Sequence, residues 1–144
     1  MASLTREQVV ENIRDDWGAY VERFRSLSPQ AQAAFLTQQG YARLGDLLAH
    51  VIAWWEACQR DIAARLADPA FREPDYDIDA FNARAVERFS NQDEPAIVEA
   101  FEAQRAAMLD FVAHLPEAAY QDQRIIDRLH IEFVGHLQDH AVPH

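Results

Sequence analysis

Apolar residues recur at a helical period along four stretches of this chain, and Pro and Gly residues lie in the gaps between them. An apolar residue at every third or fourth position covers one face of an α-helix, and that face must be buried against another element. The pattern therefore predicts an all-α protein. Four amphipathic helices of about 20 residues favour a four-helix bundle.

The ends of these helices carry recognisable signals. Thr5 and Gln8 have the spacing of a capping box at the start of the first helix, and Asp93 with Pro95 is typical of the start of the third. Pro residues follow the ends of all four stretches. The predicted helices cover about residues 5–27, 43–66, 93–115 and 120–141.

The connection between the second and third helices, residues 68–92, is longer than the few residues that normally join neighbouring helices. It has room for a short extra helix from Asp79 to Phe89, with Asp79 as its N-cap. Phe81 and Phe89 would then be available to close over one end of the bundle.

Composition limits the function classes. A length of 144 residues predicts a single domain over 1–144, and the lone cysteine, Cys58, excludes an internal disulfide. No apolar leader and no run of about 18 apolar residues are present, so we expect a cytoplasmic protein without a membrane span. The net charge is -11 and all thirteen basic residues are Arg, which disfavours nucleic acid and favours a neutral or cationic small molecule.

Two histidines stand on the face of the last helix that should be buried. Leu129, Phe133, His136 and His140 follow one another at steps of four, three and four residues, which on a helix keeps them on one side. Imidazoles four residues apart can bind one transition-metal ion, and a buried polar ring without a partner costs roughly 1–3 kcal/mol. The pair therefore predicts a metal site.

A third ligand should come from a facing helix, and His50 in the second helix is the candidate. At 100° per residue it falls at the edge of the apolar stripe, with Trp54 one turn further on. Zinc is the first candidate for the metal, and nickel, iron and manganese also accept imidazole ligands. Three imidazoles would leave one coordination position of the metal open. The simpler alternative is a hydrogen-bonded core histidine. Cys58 lies too far along the helix to share a metal with His50, so we expect it to fill the core.

Glu132 precedes His136 by one turn and could orient that ring or act as a base. A solvated helix carboxylate is the simpler expectation. The remaining histidines do not compete for the metal, because they lie on another helix face, at a helix C-terminus and at the chain end: His130, His114 and His144.

A helical histidine followed by Trp54 and Glu56, a long link containing Asp-Ala-Phe-Asn and a closing H-x-x-x-H resemble the DinB-like superfamily and, within it, the ClbS/DfsB family. The resemblance spans nearly the whole chain. It implies a divalent metal in a cleft at one end of a four-helix bundle, and a homodimer is compatible with it. By motif position, the implied ligands are His50, His136 and His140.

The same resemblance implies chemistry. Superfamily members include thiol-dependent transferases and isomerases, and ClbS/DfsB proteins are associated with self-protection against reactive small molecules, including hydrolytic opening of a strained ring. The Asp-x-Asp-x-x-x-Asn element of the family matches Asp77, Asp79 and, within one position, Asn82. The chain departs from the family at Ala42, where a Trp is usual.

The leading hypothesis is a metal-dependent hydrolase or detoxifying enzyme, with Trp54 and Phe81 lining the cleft and with Asp79, Asn82 or Glu132 supplying a polar contact or a proton. The alternatives are a thiol-dependent S-transferase or isomerase and a noncatalytic module that sequesters a small molecule. The reference pKa of histidine predicts loss of metal below about pH 6.

Overall fold

The computed structural model describes residues 3–143, and over that range it contains helices and no strands, which confirms the all-α prediction. Two π-helical segments, Asn12–Asp16 and His130–Gly135, and a 3₁₀ turn, Glu117–Gln121, accompany the α-helices. The α-helices are α1 (Arg6–Glu11), α2 (Tyr20–Arg25), α3 (Pro29–Gln39), α4 (Leu44–Ala67), α5 (Ile78–Arg88), α6 (Glu94–Ala113), α7 (Gln123–Leu129) and α8 (His136–Asp139).

The first predicted helix is present but interrupted. It begins as expected, because the Thr5 hydroxyl accepts from the Gln8 amide while the Gln8 side chain accepts from the Thr5 amide. It then passes into the first π segment and a turn before α2, so the expectation of one continuous helix to residue 27 is wrong. Gly18 lies in the turn, where an added Cβ would meet the Arg14 carbonyl oxygen at 2.2 Å. Only glycine permits this close approach.

The helix α3 was not predicted. Ser28 caps it by accepting from the Ala31 amide, Pro29 occupies its first turn, and Gly40 ends it with a left-handed φ of 83°. Phe35 is its only buried residue, so it lacks the apolar stripe by which the other helices were found. The end of α3 carries Gln39, which reaches the histidine site described below.

The second and third predicted helices are confirmed as α4 and α6. They are the longest helices and pack against each other along the middle of the molecule. Asp93 caps α6 by accepting from the Ala96 amide, as its position before Pro95 indicated. Their packing buries an aromatic cluster in which the rings of Trp17 and Trp55 meet edge to face at 5.0 Å between centroids.

The long connection carries the predicted short helix, α5, but its cap is different. Asp77, not Asp79, accepts from the Ala80 amide, and Asp79 lies exposed in the first turn. Phe89 is buried in the core, whereas Phe81 is half-buried and stacks on the indole of Trp54.

The last predicted helix is a continuous run from 123 to 139 in which the second π segment separates α7 from α8. It begins at Gln123, three residues later than expected, with Asp122 as its N-cap. The indole of Trp17 donates to the Phe133 carbonyl at 3.0 Å, and the Tyr20 hydroxyl donates to the His140 carbonyl at 2.6 Å. The chain around α2 thus fixes the part of this run that carries the two histidines.

No helix in residues 3–143 combines the length and apolar character that crossing a membrane requires.

Candidate metal centre

Three imidazoles from two separate helical runs converge at one place. His50 belongs to α4, His136 begins α8, and His140 follows its end. The ring centroids are 4.7 Å apart for His50 and His140, 5.5 Å for His50 and His136, and 5.6 Å for His136 and His140. One ligand atom from each lies within 4.8 Å of the others, so the three histidines are close enough to bind a metal ion.

His50 is more deeply placed than the sequence indicated. Its exposed fraction is 2%, because in this part of α4 the edge of the apolar stripe is buried as well as its centre. The ring of Tyr41 stacks against it at 5.2 Å between centroids, and the ring of His140 meets it edge-on. Its Nδ1 lies 2.7 Å from the Leu47 carbonyl, which can only accept, so the proton of the neutral ring is on Nδ1 and the lone pair is on Nε2.

His140 is oriented in the same way from α3. Its Nδ1 lies 2.5 Å from Oε1 of Gln39, an acceptor, which leaves Nε2 as the metal-binding nitrogen. His136 differs, because its Nδ1 is buried and has no hydrogen-bond partner among residues 3–143. A buried ring nitrogen without a partner is costly, and a metal ion would remove that cost. The donor set therefore fits a divalent transition metal.

The electrostatics keep the imidazoles neutral. Burial lowers the pKa of His50 to about 3 and that of His136 to about 4, and in both cases repulsion from His140 adds to the effect. Burial also lowers the pKa of His140. Neutral imidazole is the form that binds metals. Because the pKa values of these histidines are lowered, protons should displace a metal ion only at a pH below the value of about 6 that the reference pKa of histidine predicted.

An aromatic patch lies one helical turn beyond His50. The rings of Trp54 and Phe81 stack at 4.0 Å between centroids, and Tyr76 meets Trp54 edge-on at 5.2 Å. Asn82 accepts a hydrogen bond of 2.7 Å from the Trp54 indole, so its amide oxygen is used to hold that ring. The side chain of Asp79 is exposed and makes no hydrogen bond or ion pair with another side chain in residues 3–143. The structure thus joins Trp54, Phe81 and Asn82 and leaves Asp79 outside these contacts.

Glu132 is not solvated. Its exposed fraction is 3%, which corrects the expectation of a surface carboxylate, and its Oε1 lies 3.7 Å from Nε of Arg128. Nη1 of Arg128 also binds Asp61 at 2.8 Å and Glu73 at 3.1 Å. The pKa of Glu132 is raised to about 8, chiefly by burial; Arg128 opposes the shift, and the charges of Glu73 and Asp61 add to it. Its Oε2 has no hydrogen-bond partner among the described residues.

Sequence reasoning missed four contributors to this region. Asp61 and Arg128 are buried charged residues, but each projects about 100° around its helix from the stripe residue that follows it, Ile62 or Leu129, so the apolar stripes did not single them out. Gln39 and Tyr41 gave no signal either, because they lie at the end of a helix that has no apolar stripe.

The other candidates behave as expected. His130 and His114 are exposed, and His114 bonds the Asp110 carbonyl at its own helix end. Cys58 is fully buried, and burial raises the pKa of its thiol, as expected for a core residue. His144 lies outside the described residues.

Comparisons of this chain with protein-family models, with curated proteins and with solved structures find no match. The residues that bear on function are three converging imidazoles, an aromatic patch one turn from His50 and a buried carboxyl group one turn from His136.

Proposed function

We propose that His50, His136 and His140 together bind one divalent transition-metal ion. The observation that carries the proposal is the convergence of one nitrogen from each ring within 4.8 Å. The hydrogen bonds at Nδ1 of His50 and His140 support binding through their Nε2 atoms. Zinc is the first candidate, and nickel, iron and manganese also accept imidazole ligands.

The activity we propose is hydrolysis of a reactive small molecule, as detoxification or self-protection. When bound by three imidazoles, a divalent ion lowers the pKa of a coordinated water to about 7 and so supplies a nucleophile at neutral pH. Phe81 is half-buried and backed by the stacked indole of Trp54, one helical turn from His50, so it is the ring we assign to contact the apolar part of the substrate, while Asn82 keeps the indole in place.

Hydrolysis adds the hydroxyl of water to the electrophilic atom and a proton to the leaving group. Glu132, whose raised pKa of about 8 leaves it protonated at neutral pH, is the group we assign to hold that proton. Asp79, exposed in the first turn of α5, is assigned only a polar contact with the substrate.

We also propose that the chain is a four-helix bundle of the DinB-like superfamily, in its ClbS/DfsB family. Packing of α4 against α6, and the hydrogen bond from Trp17 to Phe133 that links the first and last helical runs, support this architecture. The short helix α5 within the long connection and the H-x-x-x-H ending of the last run support the family.

Metal analysis of protein purified without a histidine tag tests the site. We expect wild type to carry about one metal ion per chain and His136→Ala to lose it, because three ligands become two. The matched control is His130→Ala, which removes an exposed histidine from the same helical run and should leave the metal content unchanged. Equal, substoichiometric metal in wild type and His136→Ala contradicts the proposal.

Turnover is tested separately with the metal-loaded protein and a panel of electrophiles. Catalytic hydrolysis without added thiol supports the proposed activity. A requirement for a low-molecular-weight thiol indicates a transferase instead, and consumption of one electrophile per chain indicates sequestration.

A further inference from the structure

A cavity lies away from the histidines, between the C-terminal half of α4, the connection that follows it and the run from α7 into the second π segment. Its volume is about 410 Å³, within the size range of small-molecule sites. It lies beside Asp61, eleven residues after His50, and Arg128, eight residues before His136. These separations correspond to roughly 16 Å and 12 Å along the helices, so this is a different site.

The cavity concentrates positive charge in a chain of net charge -11. Four of the thirteen arginines line it, against three carboxylates. Two of the carboxylates, Asp61 and Glu73, form ion pairs with Arg128. The third, Asp127, accepts a hydrogen bond of 2.7 Å from Gln123 and keeps its charge, but among residues 3–143 it forms no ion pair with Arg72 or Arg124.

Two of these arginines have no partner. Arg65 is paired with Asp122 at 3.0 Å, but Arg72 and Arg124 are exposed and their side chains make no hydrogen bond or ion pair within residues 3–143. Nη2 of Arg128 also lacks a hydrogen-bond partner among those residues. That nitrogen is buried, so the accessible unpaired guanidinium groups are those of Arg72 and Arg124. Guanidinium groups of this kind bind oxyanions through charge-assisted hydrogen bonds.

The rest of the cavity wall is apolar. Ile62 and Ile125 are buried in it, Phe71 is half-buried, and Ile131 is 58% exposed at its rim. Ile131 is one of three large hydrophobic residues that the described part of the chain leaves exposed, and an apolar group bound in the cavity would cover it.

We propose that this cavity binds a small amphiphilic anion, in which Arg72 and Arg124 bind a carboxylate or phosphate head group and Phe71 and Ile131 contact an apolar body. The net charge of the chain favoured a neutral or cationic ligand. That expectation does not hold inside the cavity, because salt screens exposed charges that are more than about 8–10 Å apart. The electrostatic potential in the cavity is therefore determined by the nearest charged groups and not by the net charge of the whole molecule.

The test is calorimetric titration of metal-depleted protein, which removes any binding of the anions to the histidine site. The probes are octanoate and monooctyl phosphate below their micellar concentrations, with octanol and octyltrimethylammonium as the neutral and cationic analogues. We expect both anions to bind more tightly than either analogue, and to bind more weakly as salt is added. The tighter of the two anions identifies the head group.

The double variant Arg72→Gln with Arg124→Gln should weaken anion binding by about tenfold or more, since it removes both unpaired guanidinium groups. The matched control is Arg23→Gln with Arg84→Gln, which makes the same charge change at two exposed arginines outside the cavity and should leave affinity within about twofold. No anion binding, equal binding of octanol, or unchanged affinity in the cavity variant overturns the proposal. None of these results bears on metal binding by the histidines.

Discussion

Burial shifts the pKa values of several side chains in this protein. His50, His136 and His140 take positions among apolar residues, and burial lowers their pKa values. Glu132, one turn from His136, is shifted in the opposite direction for the same reason, because burial disfavours the charged form of each group. At neutral pH the region therefore contains neutral imidazoles beside a protonated carboxyl group.

The carboxyl group predicts a pH dependence of stability. The folded-state pKa of Glu132 is about 8, above its ordinary value of 4.5, so between these values the unfolded chain releases a proton that the folded chain keeps. Its stabilising contribution is thus fully present below about pH 4.5 and is lost as the pH rises to about 8. Relative to Glu132→Gln, wild type should lose free energy of unfolding over this window, as measured by urea denaturation of both proteins.

Comparing the two proteins at each pH cancels the titration of the histidines, which both retain. A difference in unfolding free energy that stays constant from about pH 5 to pH 8, or that grows in favour of wild type, contradicts the shifted carboxyl group.

At the scale of elements, helix ends and hydrogen bonds to backbone carbonyls position the histidines. The second π segment leads directly into His136, and π-helical turns are frequent at functional sites. Trp17 and Tyr20 bind carbonyls on either side of His136, at Phe133 and His140. The geometry of the last run therefore depends on contacts from the first.

Removing the Tyr20 hydroxyl tests this dependence. Tyr20→Phe eliminates the 2.6 Å hydrogen bond to the His140 carbonyl and should cost about 1 kcal/mol of stability and weaken metal binding, measured by denaturation and by metal titration. Tyr120→Phe is the matched control, because Tyr120 donates a similar bond of 2.8 Å to the Val112 carbonyl near the end of α6 and not to a carbonyl of the last run. Equal metal affinity in the two variants would show that Tyr20 does not position the site.

These elements also show where sequence reasoning succeeds and where it ends. The apolar stripes of α4 and α6 and the cap Asp93 were sufficient to place those helices, and the displaced histidines identified the site. The break after the first π segment and the helix α3 were missed. A projection at 100° per residue contains no π turn, and a helix that buries only Phe35 has no stripe to detect.

For the whole molecule, average properties conceal two local clusters of side chains. The net charge of the chain is -11, yet four of its arginines line one cavity. Likewise, the core around α4 and α6 is mostly apolar, yet three imidazoles converge beside it. Neither concentration follows from composition, because each depends on residues that are far apart in the sequence and meet only in the folded chain.

The most direct test of the account is anomalous diffraction from crystals of untagged protein grown without added metal. We expect one anomalous peak about 2.0–2.1 Å from a ring nitrogen of each of His50, His136 and His140, with the absorption edge identifying the element. The absence of a shared peak, together with a ring of His50 that lies beyond the reach of an ion held by His136 and His140, would contradict the proposed metal centre.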